Sequence, residues 1–460
     1  GTRYGGNLAR LCAVIVLTVA SFTYVTAQIN ATGTIASVAL DIDFKYAVYV
    51  GLISILLCSM LGGMRAVTWT QVAQYIVLII AYLLPIFWIS NKMGAGFFPH
   101  FMLADEVARI GELEQQFGFV KNSAADLATV PKGLAGITKA HSAVNATPWA
   151  FISLALAMMM GTASLPHVMM RYFTTPSVKA ARKSVGWSLF FIFLLYSSAP
   201  MLATLSKLSL IDPTLSTGII GKSFAEVQSI DWFQNWNQAN LMFISDFNGN
   251  GTLELNEFFM GGKAVVLATP EIAGLPYVIS GLVAAGGMAA AMSTADGLIL
   301  AIANAISHDV YYKMIDPKAE TAKRLLVARV LLVVIGFAGA TIAAMEIQGI
   351  LGSVIWAFDF AMSGLFFPLV LGVWWKRANR EGAIAGMVLG LGSAIWYLVW
   401  VRTGGSGFLG LTQLTFGIFG AGVSFVAMVV VSLITSAPDA ATQKMVDEVR
   451  IPSGRTVTGK

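Results

Sequence analysis

Apolar residues run in long, unalternating blocks along this chain, and the polar positions gather between the blocks. Ten blocks, at roughly 9–29, 45–61, 67–90, 149–168, 186–205, 275–306, 325–345, 349–375, 382–402 and 412–435, come close to or exceed the about 20 helical residues that cross a hydrocarbon core of ~30 Å. The second is the shortest. Lipid offers no partner to a backbone N–H or C=O, so a spanning segment is either a helix or part of a closed barrel. The blocks lack the period-2 alternation of barrel strands, which leaves helices. The pattern predicts an all-α, polytopic membrane protein with about ten transmembrane helices in one bundle over 1–435, and a charged tail over 436–460. Two intervals, 91–148 and 206–274, are long and polar enough to fold in water.

Composition narrows the function classes. Hydrophobic residues make up 57% of the 460 and charged residues 12%, with a mean hydropathy of +0.74. A soluble enzyme or nucleic-acid binder of this size needs far more surface charge, so the net +5 reads as loop charge beside a bilayer and not as a nucleic-acid footprint. With residue 1 placed inside, 19 of the 29 Lys and Arg fall on the inner side, and the remaining 10 sit mostly in the two long intervals. That asymmetry predicts a multi-pass protein of the plasma (inner) membrane with both termini cytoplasmic and the two intervals outside. Trp88, Trp149, Trp374, Trp375 and Trp400 stand where an interfacial aromatic belt belongs. The first apolar run, Leu8 to Gln28, is too long for a cleavable signal peptide. Cys12 and Cys58 lie within apolar runs, as small hydrophobes do. The four histidines, His100, His141, His167 and His308, are too scattered for a zinc motif, and no catalytic constellation is visible. The glycosylation triplets at Asn30, Asn145 and Asn250 are of a kind that chance produces often.

The block 275–306 carries the most chemistry. Ala284, Gly287 and Ala291 form a small-residue face suited to close helix packing. Ala290, Ser293 and Thr294 stand at i, i+3 and i+4, so one carbonyl and two hydroxyls converge on one face, the hard neutral oxygens that sodium prefers. The same hydroxyls suit hydrogen bonds back to the preceding turn, as Ser and Thr often make in membrane helices. Asp296 lies one turn on, and Asp359 falls mid-block between Phe358 and Phe360. A carboxylate in lipid is costly, so both acids, with Phe358 and Phe360, are expected to line a substrate pathway. No Lys or Arg is placed mid-span, so an anionic substrate has to be neutralised by sodium or by helix N-termini.

Residues 246–257 read Asp-Phe-Asn-Gly-Asn-Gly-Thr-Leu-Glu-Leu-Asn-Glu, matching the calcium-loop pattern at every defined position. The spacing offers calcium the side chains of Asp246, Asn248 and Asn250, the Thr252 carbonyl, Glu254 and a bidentate Glu257, with Gly251 at the sharp turn. The plain alternative is a polar Asn-Gly turn.

Several separated segments resemble the sodium/solute symporters, in particular the branch that moves acetate and related monocarboxylates. Gly62-Gly63-Met64-Arg65-Ala66-Val67-Thr68-Trp69-Thr70 resembles that family's turn between two core helices. Leu165-Pro166-His167-Val168, Arg171-Tyr172-Phe173 and Ala180-Ala181-Arg182-Lys183 are similar to the acetate branch's inner loop. Met292-Ser293-Thr294 with Ser307-His308-Asp309-Val310-Tyr311 resembles the sodium-site helix and its exit, and Phe367-Pro368 through Gly372-Val373-Trp374-Trp375-Lys376-Arg377 the end of the following helix.

The resemblance implies a LeuT-type inverted-repeat bundle in which Ala290, Ser293 and Thr294 supply part of a sodium site. Two departures stand out. Family members begin with additional helices, and against that pattern this sequence starts at the third core helix. Gln71 stands where several amino-acid and sugar carriers have Asp. The expected function is sodium-coupled uptake of a small organic anion such as acetate by alternating access, with calcium as a structural ion. The alternatives are an amino-acid symporter, or a transporter-derived ligand sensor or calcium-binding membrane scaffold.

Overall fold

The computed structural model describes residues 1–94, 96, 99–117 and 148–451. Most of the 91–148 interval, including His141 and the Asn145 triplet, and the tail beyond 451 lie outside the described residues.

Each of the ten apolar blocks is helical. The chain forms α1 (Asn7–Leu40), α2 (Phe44–Lys92), α3 (Leu103–Gln116), α4 (Pro148–Ser164), α5 (Pro166–Met169) and α6 (Val178–Ile211). There follow α7 (Phe224–Gln228), α8 (Asp231–Gln238), strands β1 (Met242–Ile244) and β2 (Phe258–Met260), and α9 (Val265–Ile272). The remaining helices are α10 (Tyr277–Asn304), α11 (Thr321–Ala344), α12 (Ile350–Ala361), α13 (Phe367–Trp374), α14 (Arg380–Arg402), α15 (Gly417–Ile434) and α16 (Ala440–Glu448). Among the described residues eight helices are long and apolar enough to cross a membrane, or nine if the bent pair α4–α5 is one span. The remaining block, the second in order, is the short Phe44–Met60 helix, which continues across a kink into Ala66–Lys92.

Two breaks shape the bundle. In α2 the backbone leaves helical geometry at Gly63, with φ 56° and ψ −165°, a conformation that only glycine adopts without strain. Between α4 and α5 the chain bends by 49°, because Leu165 is extended and Pro166 cannot donate the hydrogen bond that would continue the helix. Wider π-turns replace α-helix at Ala305–Ile315, below α10, and at Met362–Phe366, between α12 and α13.

Helix α10 packs along α2 and α1, and its inner half is buried from Ala295 to Ala303. A core of Val25, Ile29, Leu52, Ile55, Leu298 and Ile299 joins these three helices to α11. A second core, with Trp356, Phe360, Met387, Tyr397 and Phe416, joins α1 to α12, α14 and α15. Where backbones meet most closely the sequence supplies glycine, as at Gly161 of α4, where a Cβ would stand 2.7–2.9 Å from Cβ, O and Cα of Phe358.

The 206–274 interval folds as a cap over one end of the bundle. Its core of Val227, Phe233, Trp236, Leu253, Leu255 and Phe258 runs on into Ile110 and Leu113 of α3, and the β1–β2 pair is antiparallel. The helix α7 starts with a capping box, in which Ser223 bonds hold the exposed Glu226 carboxyl below its usual range. Ion pairs Arg109–Asp212 and Lys207–Glu114 fasten α3 to the last turn of α6.

Candidate functional site

The kink of α2, the break after α4 and the middle of α10 come together at one place. On α10, Ser293 Oγ donates to the Ala290 carbonyl at 2.8 Å, so in this conformation the hydroxyl bonds back to its own helix. Ala290, Ser293 and Thr294 are each half-buried. Ala290 also lines an apolar cavity of about 340 Å³ beside Tyr82, Tyr196 and Ala199.

One turn below, Asp296 is fully buried. Its Oδ1 accepts from Ser59 Oγ of α2 at 3.1 Å, while Oδ2 has no hydrogen-bond partner. Gln71, in the second half of α2, donates from Nε2 to the Ser293 carbonyl and accepts from Arg171 Nη1. The arginine reaches in from the turn that follows α5 and lies over Gly297, where a Cβ would stand 2.9 Å from Nη2. The sequence places no Lys or Arg mid-span, and Arg171, counted there with the inner loop, reaches the Gln71 amide beside α10.

Asp359 goes elsewhere. It is fully buried where α12 meets α15, against the Gly417 backbone, and neither carboxylate oxygen has a hydrogen-bond partner of ordinary geometry. Ser363 Oγ bonds both the Asp359 carbonyl at 2.6 Å and the Gly417 carbonyl at 3.1 Å. Successive residues of a helix point about 100° apart, so the three neighbours separate. Phe358 packs against Tyr24 of α1, ring centroids 5.6 Å apart, and Phe360 against Phe416 at 5.2 Å. Phe360 also lines a second cavity, with Thr23, Thr26, Asn30, Ser353 and Trp356. The two acids thus occupy two different helix interfaces.

In the cap, residues 246–257 curl on themselves. Asp246 accepts from the N–H of Gly249 at 2.7 Å and of Gly251 at 3.0 Å, and Asn248 and Asn250 accept from the residues two further on. Gly251 has φ 71°, the turn its place in the motif calls for. Glu257 is buried and holds the N–H groups of Phe247 and Glu254, while Glu254 takes the Asn248 and Asn250 amides at 2.9 Å each. Among the described residues no three His, Cys, Asp or Glu side chains are gathered as a ready metal cage.

Sequence reasoning passed over Gln71 as a contact, Arg171 as an intruder and Ser59 as the partner of Asp296. All three act across helices, and a one-dimensional pattern carries no register between helices. The legible signal was the change at Gln71 from the acid that other carriers have.

Comparison with known proteins gives a consistent picture. The model described as "Sodium:solute symporter family" matches residues 1–210 and 263–390. An uncharacterized symporter of Cupriavidus necator is 35% identical over 520 aligned positions, which cover 94% of this chain and 75% of the relative. A monocarboxylic acid transporter of Corynebacterium glutamicum is 27% identical over 399 positions, which cover 85% of this chain and 62% of the relative's length. Among solved structures, the substrate-bound outward-open state of a sodium-coupled sialic acid symporter superposes with a TM-score of 0.61 at 17% identity, over 95% of this chain and 76% of that one.

Proposed function

The chain belongs to the sodium:solute symporter family and has its LeuT-like fold, and we propose that it takes up a small monocarboxylate, acetate or a close homologue, with sodium. Sodium coupling and a small organic solute go with the family, while the anion is our reading. The observation that carries it is the turn Ala290–Ser293–Thr294 standing where α2 is kinked and α4–α5 is broken. Discontinuous helices near the midplane are where carriers of this kind bind ion and substrate, since freed backbone groups and helix ends face the cargo there. The monocarboxylic acid carrier among the relatives favours an anion, as does Gln71, whose neutral amide adds no repelling carboxylate.

Sodium would be held by the Ala290 carbonyl and the Ser293 and Thr294 hydroxyls, with Ser293 turning out of its bond to Ala290. A carboxylate carried beside a cation crosses as a nearly neutral pair, which lowers the dielectric cost and lets the sodium gradient drive uptake. Asp296 would face the path beside that turn, and Asp359, with Phe358 and Phe360, would line it where α12 meets α1 and α15.

We also read 246–257 as a calcium loop on the extracytoplasmic side, held by Asp246, Asn248, Asn250, the Thr252 carbonyl, Glu254 and Glu257. The donor set fits, being all oxygen at the defined spacings, with the charged ends of Asp246 and Glu257 already turned onto the loop.

Uptake of labelled acetate into proteoliposomes, with and without an inward sodium gradient, tests the main reading. Accumulation should require the gradient and fall in competition with propionate. Uptake indifferent to sodium would overturn coupling, and sodium-driven uptake of an amino acid with none of acetate would overturn the substrate.

A further inference from the structure

The relay from Arg171 through Gln71 to α10 is more elaborate than packing requires. The guanidinium comes from the turn after the broken helix, and Nε also approaches the His167 carbonyl at 3.4 Å. Nη1 donates to Gln71 Oε1, and the amide's other end donates to the carbonyl of Ser293, the residue whose hydroxyl is proposed for sodium. One arginine and one amide therefore tie together the far half of α2, the α4–α5 break and the middle of α10. Gly297 leaves room for the guanidinium, and a Cβ there would also lie 3.8 Å from Gln71 Nε2. Asp296, adjacent in sequence, is 0% exposed with Oδ2 unpartnered. It keeps a second acceptor for the cation within the same interface. A half-buried arginine in a membrane protein is held at a cost, and a structural tie could be made by a neutral side chain at less.

We propose that Gln71 and Arg171 are positioning residues that set the α10 turn for sodium and link its occupancy to the segment after the helix break. The amide fixes the rotation of the turn through the Ser293 carbonyl, so the Ala290 carbonyl and the Ser293 and Thr294 hydroxyls converge. When sodium draws on that turn, the pull passes through Gln71 to Arg171 and to the broken helix, the element that has to move for the path to open on that side. Asp296 receives the guanidinium once it leaves Gln71. This rests on the sodium site proposed above.

Direct binding of ²²Na⁺ to the purified protein tests the proposal without a named substrate, using Gln71→Met, Arg171→Met and the double variant, each checked for thermal stability. Gln71→Met removes both hydrogen bonds at nearly constant volume. It should weaken sodium binding about tenfold, the scale of one lost charge-assisted bond. The double variant should be no weaker than either single one, since both changes break one relay, and Arg171→Lys should recover part of the loss. Additive losses, or sodium binding within twofold of the unaltered protein in Gln71→Met, would overturn it. If Gln71→Met does not fold, Gln71→Asn withdraws the amide by one methylene and answers the same question. An unaltered protein that binds no sodium would defeat the site itself. Loss in Ser293→Ala, Thr294→Ala with normal binding in Gln71→Met would defeat only the relay.

Discussion

At the level of single residues the informative cases are hydroxyls and carboxylates that have two uses for the same atoms. Ser293 Oγ bonds its own helix, the cheap resting state of a serine in lipid, and it can leave that bond only for a partner that offers more. A sodium ion meets that condition; a water molecule in an apolar bundle hardly does. Replacing Ser293 and Thr294 by Ala removes two neutral oxygens while Ala290 keeps its carbonyl. The double variant should therefore need at least tenfold more sodium for half-maximal uptake, with substrate affinity at saturating sodium little changed. A sodium titration of initial uptake rates checks this, and an unshifted curve would remove both hydroxyls from the site. The acids divide differently: Asp296 has Ser59 and a nearby guanidinium, whereas Asp359 has the close-packed backbone of Gly417.

At the level of elements, the existence of every membrane helix was legible because hydropathy along the chain is a local property that lipid enforces. The interruptions were legible only in part. Gly62-Gly63 and Pro166 stand in the sequence, yet whether a glycine pair kinks a helix depends on what packs beside it. The π-turns at 305–315 and 362–366 leave no compositional mark. Contacts between helices were not legible: Phe358, Asp359 and Phe360 are adjacent in sequence, and the helix turns them to three different neighbours, Tyr24, Gly417 and Phe416. Close packing was foreseen on α10, where a Cβ on Gly286 would run into Ala81 Cβ, and a second close approach is at Gly161, where α4 meets the Phe358 backbone. A methyl there has rigid main chain in front of it, so α4 has to move away from α12. Gly161→Ala should cost about 1–3 kcal/mol of stability. It should also slow transport more than it changes sodium affinity, since the proposed sodium turn lies on another helix. Thermal unfolding in detergent beside uptake kinetics checks both, and an unchanged melting temperature would show that α4 and α12 part easily.

At the level of the whole molecule, the family match covers 1–210 and 263–390, and the segment between them packs with Ile110 and Leu113 of α3 in one core at the end of the bundle. The calcium motif lies wholly within that segment. Its two ends are fixed to structure: Ser245 donates its N–H to the Glu257 carbonyl, and β1 and β2 pair immediately outside the loop. An ion held by 246–257 would therefore order the cap and, through the Arg109 and Lys207 ion pairs, the α3 and α6 ends beneath it. On the outer side, where the cap is proposed to lie, calcium is abundant, so an affinity of ~10⁻⁴–10⁻³ M suffices to keep such a loop filled. One loop without a partner loop lacks the helix pair that opens in calcium sensors, which points to a fixed brace and not to a switch. Chelation should then lower the melting temperature of the full chain, and Glu257→Gln, which removes the bidentate charge, should lower both calcium affinity and that temperature. Neither should alter the sodium dependence of uptake, because the proposed sodium turn lies on α10, outside the cap. Titration calorimetry at millimolar calcium decides whether the loop binds at all. Binding whose loss changes sodium dependence and leaves stability untouched would make the cap a regulator of transport.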